Sequence, residues 1–293
     1  MSQPSPLHKA PATITELPAH RPNKGIYVLP NLFTLAALFG GFYAVVMSMN
    51  GRFDLAAVGI FAAMVLDSLD GRVARLTHTQ SAFGEQMDSL SDMVSFGAAP
   101  ALIAYEWALQ PLGRWGWIAA FVYCACAALR LARFNVNTAV ISKRYFQGLP
   151  SPAAAALVAG FVWLTSQVFS HRYEVPWFEH MLHVFWGAQI ERQDLSWCMF
   201  AVTLFAGLTM VTNIPFYSFK EFGGKRSVPF TILVLAVLGI AFINIEPPTV
   251  LFGLFVVYAL SGYALYVWRK VRGQQVSMVS TSIDEPDEKG LHH

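Results

Sequence analysis

Charge is what this sequence has least of. Only 13% of its 293 residues are charged, while 55% are hydrophobic; soluble domains carry about 25% charged residues. The deficit runs the whole length, which argues against a soluble two-domain enzyme and suits a polytopic membrane protein. A formal net charge of +2 is too small to imply a nucleic-acid partner. Cysteine is also scarce: Cys124, Cys126 and Cys198 all lie in apolar runs. An odd number in such places gives no disulfide framework. Cys124-x-Cys126 has no second Cys or His pair to complete a metal site, so these residues read as small buried hydrophobes. No cleavable leader is expected either. The polar, Pro-rich residues 1–25 run into an uncharged stretch from Ile26 to Gly51. It is too long for a signal core and reads as a first, uncleaved membrane span.

Apolar runs are plentiful. A helix needs about 20 apolar residues to cross the hydrocarbon core, and eight candidates appear, at 29–49, 53–75, 87–109, 115–134, 150–169, 195–214, 228–244 and 248–268. The expected architecture is an all-α integral membrane protein of about eight transmembrane helices. Glu246-Pro247-Pro248 breaks the chain between the last two, and Gly97 and Pro100 should bend the third. With the N-terminus placed in the cytoplasm, only Arg52, Arg114, Arg172 and Arg192 fall outside; the other sixteen of the 20 Lys and Arg fall inside. That bias sets the orientation and puts both termini in the cytoplasm. The outside loop at 170–194, with Trp177, Phe178 and Trp186, reads as lying along the interface. The acidic tail after Val276 reads as disordered.

Carboxylates next to membrane spans are costly and rarely idle. Asp67 and Asp70 close the second span, three apart; Asp88 and Asp92 open the third, four apart. Both spacings put each pair on one helix face, and the short link 71–87 makes the two helices neighbours at the cytoplasmic side. Four carboxylates in one place repel unless cations neutralise them. Oxygen-only ligands select a hard ion such as Mg²⁺ or Mn²⁺, which takes its remaining ligands from water and substrate phosphate. The expected chemistry is therefore phosphoryl transfer on a pyrophosphate-containing substrate. Gly71 and Gly84 allow close backbone approach, and Arg75 adds a cation suited to phosphate. A bland reading, with each Asp an exposed helix cap and Arg72 and Arg75 mere topology signals, suits one Asp better than four at these spacings.

Asp67-x-x-Asp70-Gly71-x-x-Ala74-Arg75, then eight residues, then Gly84-x-x-x-Asp88-x-x-x-Asp92, resembles the signature of the CDP-alcohol phosphotransferases. That family displaces CMP from a CDP-linked donor by an alcohol hydroxyl, using two divalent ions. The resemblance implies metal ligation by Asp67, Asp70 and Asp88, with Asp92 as general base also touching a metal. It implies contacts to the CDP-lipid from Gly71, Arg75 and Ser81, and from Pro30, Asn31 and Thr34 of a Pro-Asn-x-x-Thr start to the first span. It also implies a six-helix core over 26–214, two further helices over 215–268, cytoplasmic tails at 1–25 and 269–293, and a homodimer in the inner membrane.

The stretch Ser89 to Gly97, Arg133-Phe134-Asn135 and Gly148-Leu149-Pro150-Ser151-Pro152 are similar to the membrane-bound phosphatidylserine synthases. No His-x-Lys, the nucleophile motif of the other bacterial type, occurs. The expected reaction joins CDP-diacylglycerol and L-serine, giving phosphatidylserine and CMP. Arg130 and Arg133, with Asn135 nearby, either hold the serine carboxylate or are simple positive-inside charge. Lys143 and Arg144 read as surface charges for anionic lipid. Glu179-His180-x-x-His183 has helical metal spacing but lacks a third ligand on the far side. Two alternatives stand beside this reading: another acceptor such as glycerol phosphate or inositol phosphate, and a divalent-cation transporter. The first needs a denser cationic pocket; the second needs a midplane site, usually within repeats.

Overall fold

The computed structural model describes residues 28–77, 79–136, 145–169, 192–217 and 230–272. They form an all-α protein whose helices sit where the apolar runs fall. Helix α1 (Val28–Met49) and α2 (Phe53–Leu76) form an antiparallel pair, followed by α3 (Ala82–Asp92), α4 (Ala99–Ala104), α5 (Arg114–Val136), α6 (Ser151–Phe169), α7 (Arg192–Val211), α8 (Phe230–Ile245) and α9 (Pro247–Val271). Inside hydrocarbon every backbone N–H and C=O must be paired within the segment, which makes helices of these runs.

Helices α1, α5, α6, α7 and α9 are long and apolar enough to cross a membrane. The chain is therefore a multi-pass membrane protein. The other expected spans fall short of that standard for visible reasons. Helix α2 carries Asp54, Asp67, Asp70, Arg72 and Arg75 within its 24 residues, and α8 has only 16 residues. The third is not one regular helix: a π-helical turn at Met93–Ala98 links α3 to α4, and another at Tyr105–Leu109 leads into a short 3₁₀ turn. The bend expected at Gly97 and Pro100 thus takes the form of wider turns flanking α4, a common device near functional sites. Pro247 and Pro248 open α9 at its first turn, where a missing N–H costs nothing.

Small residues set how closely the helices pack, as they must where lipid offers no hydrophobic drive for association. A Cβ on Gly40 would lie 3.1 Å from the Gly59 carbonyl and from Ala63, and one on Gly59 would lie 3.0 Å from Ala44. The α1–α2 seam therefore admits nothing larger. On the other side of α1, Ser95 donates a hydrogen bond to the Ala37 carbonyl at 3.1 Å. Helix α6 is the most enclosed, with Ala153 to Ala159 all in the core, and it packs against α2, α7 and α9.

One feature has no counterpart in the sequence reading. Tyr145–Gln147 (β1) and Pro215–Tyr217 (β2) pair antiparallel, with Phe146 opposite Phe216. Gly148 ends β1 at φ +77°, and its N–H donates to the Ile214 carbonyl at 2.9 Å. Two strand edges thus tie the start of α6 to the end of α7. The three cysteines are free thiols. Lys143, Arg144, Glu179, His180, His183, the interfacial loop residues Trp177, Phe178 and Trp186, the N-terminal tail 1–25 and the C-terminal tail beyond 272 lie outside the described residues.

Candidate functional site

The site begins where α2 and α3 meet the start of α1. Ligand-capable oxygens of Asp67, Asp70 and Asp88 lie within 4.8 Å of one another. Asp67 is also in hydrogen-bonding range of both Asp88 and Asp92, so all four carboxylates converge as the spacing predicted. Asp70 is 6% exposed and accepts a hydrogen bond from the Thr34 hydroxyl at 2.9 Å. Thr34 in turn is held at both ends. Its hydroxyl lies 3.3 Å from the Pro30 carbonyl, and its own carbonyl accepts from Ser91 at 3.1 Å. Helix α1 thereby fixes Asp70 through Thr34, which Ser91 of α3 holds in turn.

The donor set fits a divalent cation. Oδ1 of Asp88 and Oδ1 of Asp92 are buried with no hydrogen-bond partner. Buried charged oxygens are costly unless paired or metal-bound. Carboxylates that approach each other this closely, with unpartnered oxygens, leave a place for a cation that oxygen-seeking Mg²⁺ or Mn²⁺ suits. A single Arg52–Asp54 ion pair, 3.6 Å apart, occurs among the described residues, far along α2 from this cluster. No lysine or arginine among the described residues neutralises it by direct contact.

Beside the cluster opens a polar cleft of about 550 Å³. Its walls include Pro30, Asn31, Thr34, Gly71, Arg75, Ser81 and Gly84, together with Asp70 and Asp88. Every residue expected from the sequence to touch a CDP-lipid is therefore in one cavity. Ser81 caps α3, accepting from the Gly84 N–H at 3.0 Å, a contact typically worth about 1 kcal/mol. Around Gly71 there is open space, and a Cβ on Gly84 would come 3.3 Å from the Asn31 side chain. The cleft also takes Thr79, Gln80 and Glu85, which the sequence reading missed. Thr79 and Gln80 sit in the α2–α3 link, whose path no periodicity specifies, and Glu85 sits in the first turn of α3.

Arg130, Arg133 and Asn135 lie on the other side, at the end of α5, and the structure separates them. Arg133 hydrogen-bonds the carbonyls of Val211, Met210 and Gln147 and the Asn213 side chain at 3.1–3.3 Å. It closes the C-terminus of α7 and pins it to β1, as a cation at a helix end does. Asn135 pairs with Ser89 at 3.0 Å. Arg130 is different. It is 9% exposed, Nη1 donates to Ser151 at 2.8 Å, and Nε is buried without a partner. It lies within electrostatic reach of Asp92, although no ion pair joins them.

Together the fold and this geometry define a multi-pass helical membrane protein with a carboxylate cluster, fit for a metal ion, opening on a polar cleft. Residues 27–186 match the family model described as CDP-alcohol phosphatidyltransferase. The chain belongs to that family, whose members are metal-dependent in general. It is 37% identical, over 82% of its length and 92% of the relative's, to the CDP-diacylglycerol–serine O-phosphatidyltransferase of Helicobacter pylori. Proteins of the same name from Mycobacterium leprae and Saccharomyces cerevisiae are 35% and 40% identical. They cover 56% and 46% of this chain, and 56% and 53% of their own lengths.

Proposed function

We propose that this protein transfers the phosphatidyl group from CDP-diacylglycerol to L-serine, giving phosphatidylserine and CMP. What carries this reading is that Asp70 and Asp88 belong both to the carboxylate cluster and to the wall of the cleft. Any phosphate in the cleft thus lies against the cluster. The names of the similar proteins supply the donor and acceptor.

In this proposal Asp67, Asp70 and Asp88, with Asp92 at the rim, hold two Mg²⁺ or Mn²⁺ ions. When bound, such ions draw charge from phosphate oxygens and steady the leaving group. Asn31, Thr34, Ser81 and the open backbone at Gly71 and Gly84 grip the nucleotide side with Pro30, and Arg75 faces the phosphates. The serine hydroxyl oxygen bonds to the β-phosphorus as the bond to the bridging oxygen of CMP breaks. Its proton passes to Asp92. Among the described residues no Ser or Cys nucleophile with a paired base lies at the cluster, so displacement is direct.

Serine is a zwitterion carrying a hydroxyl, and two buried groups of opposite charge, Asp92 Oδ1 and Arg130 Nε, lack partners beside the cluster. Arg130 therefore takes the carboxylate while Asp92 takes the hydroxyl proton. Arg133 and Asn135 frame this side of the site. A phosphorylated acceptor would need more free cations than Arg130 alone. We place the site at the cytoplasmic face of the inner membrane, in an eight-span, homodimeric enzyme with both termini cytoplasmic. The positive-inside bias supports that orientation.

The deciding experiment gives purified protein CDP-diacylglycerol with L-serine, glycerol phosphate or inositol phosphate, and measures CMP and the lipid product. Serine-dependent CMP release with phosphatidylserine formed is expected. Release with another alcohol alone overturns the acceptor; no release with any overturns the class of reaction. Orientation is tested by single cysteines in a cysteine-free background. One at Asn50 should react with an impermeant thiol reagent in intact cells, and one at Arg272 should not.

A further inference from the structure

Helix α3 carries two of the four carboxylates, yet little apolar burial holds it in place. Ser91 is the one residue among its eleven that is buried as a whole, while Phe83 and Leu90 are 68% and 70% exposed. Its join to α1 is polar instead. The Ser91 hydroxyl donates to the Thr34 carbonyl at 3.1 Å. One turn on, in the π-helical stretch, Ser95 makes a bond of the same length, 3.1 Å, to the Ala37 carbonyl. Gly41 admits this approach, because a Cβ there would collide with Ser95.

The two serines differ in what lies behind the carbonyl each one grips. Ala37 has no polar side chain to pass the contact on. Thr34 donates its own hydroxyl to Oδ2 of Asp70 at 2.9 Å. A chain of hydrogen bonds thus runs from Ser91 on α3, through Thr34 on α1, to Asp70 on α2. Ser91 lies three residues after Asp88 and directly before Asp92. Residues three apart are neighbours on a helix surface, so the rotation that seats Ser91 on α1 also sets where Asp88 meets Asp67 and Asp70. A hard cation such as Mg²⁺ demands near-ideal ligand positions. Groups that hold its ligands tune the affinity without touching the ion.

We propose that Ser91 is a positioning residue for the metal site: through Thr34 it sets the spacing between the carboxylates of α2 and those of α3. This rests on the reading of the cluster as a holder of divalent ions. The Ser91 hydroxyl is committed to α1, and Ser91 is not among the walls of the donor cleft, so it acts on the ions only through the residues it holds. Metal affinity is thereby assigned in part to α1, a helix that contributes no carboxylate of its own.

The test is Ser91→Ala, which removes only the hydroxyl, beside Ser95→Ala, which removes the bond to Ala37. Free Mn²⁺ is followed by electron paramagnetic resonance as purified protein is titrated, first without donor and then with CDP-diacylglycerol. Ser91→Ala should bind Mn²⁺ about tenfold more weakly than wild type, the lower end of what losing a ligand-holding partner costs. Ser95→Ala should bind it as wild type does. Single interhelical hydrogen bonds add little to membrane-protein stability, so the thermal midpoints of the two metal-free variants should lie close together. Thr34→Val removes the donor to Asp70 and should weaken Mn²⁺ binding as Ser91→Ala does. The double variant should lose less than the two losses combined, because both act through one chain of bonds. Wild-type Mn²⁺ affinity in Ser91→Ala overturns the inference. So does an equal loss in Ser91→Ala and Ser95→Ala, which marks a general packing role. Should Ser91→Ala not elute as folded protein, Thr34→Val decides in its place: a loss there sustains the inference and wild-type affinity overturns it. Wild-type protein that binds no Mn²⁺ in either condition overturns the metal reading itself, and this inference with it.

Discussion

The cleft beside Asp70 draws its walls from residues 30 to 88, whereas Arg130 lies buried near the end of α5 and bonds Ser151 on α6. The first is a local structure. Two helices, their link and the start of α1 build it, and its contacts are short in sequence apart from Thr34 to Asp70. The second is assembled at long range from elements that share no motif. One side is open and polar, suited to a large charged nucleotide that must enter and leave. The other is enclosed, suited to a small zwitterion whose charges must be matched one by one, because buried unpaired charge is costly. The π-helical turn at Met93–Ala98 begins at the boundary, directly after Asp92.

The largest effects should come from the cluster that both sides share. Asp67→Ala, Asp70→Ala or Asp88→Ala should reduce CMP release below detection in protein that still inserts and elutes as wild type. EDTA should do the same reversibly. Full turnover in metal-free buffer would break the comparison at its root. Next in size is Asp92→Asn, which keeps shape but cannot accept a proton. Its kcat should fall by about 10²–10⁴, while metal-dependent binding of CDP-diacylglycerol persists. If Asp92→Asn turns over serine at the wild-type rate, the base lies elsewhere.

The two arginines sharpen the comparison further. Arg130→Lys should raise the KM for serine about 10–100-fold, since lysine cannot reproduce the fork. Arg133→Lys should instead lower the thermal midpoint, because the end of α7 and β1 lose the hydrogen bonds that join them. If Arg133→Lys gives the larger shift in serine KM at an unchanged midpoint, the roles are reversed. The smallest effect belongs to Ser81→Ala. Loss of the α3 cap should cost about 1 kcal/mol and raise the donor KM by roughly fivefold, with the serine KM unmoved.

How much was legible follows the same division. Apolar runs placed the helices because length and composition alone decide what a bilayer accepts. The 3- and 4-residue spacings put the aspartates on matching faces, and the short link made their meeting unavoidable. Gly71, Arg75 and Gly84 followed from the same stretch, and Ser81 from its resemblance to the family signature. Thr79 and Gln80 did not, because a link between helices has no period to read, and Glu85, in the first turn of α3, carries no spacing that sets it apart. The β1–β2 pair was hidden because its strands are three residues each and 68 positions apart in register at Gln147 and Pro215.

By itself, then, the sequence determined the all-α membrane class, the helix positions and the carboxylate cluster. Each depends on composition or on spacing within a helix or two. Only the tertiary structure decided between Arg130 and Arg133. In sequence both are basic residues at the end of α5. In space one meets carbonyls at a helix terminus and the other bonds Ser151 and keeps a buried, unpartnered Nε. The place of Tyr258, whose hydroxyl donates to the Tyr217 carbonyl at 3.2 Å, was decided the same way, because a tyrosine in an apolar span carries no mark of what its hydroxyl will reach. That depends on Gly262 seating α9 against Phe216, a packing choice made between segments far apart in the chain.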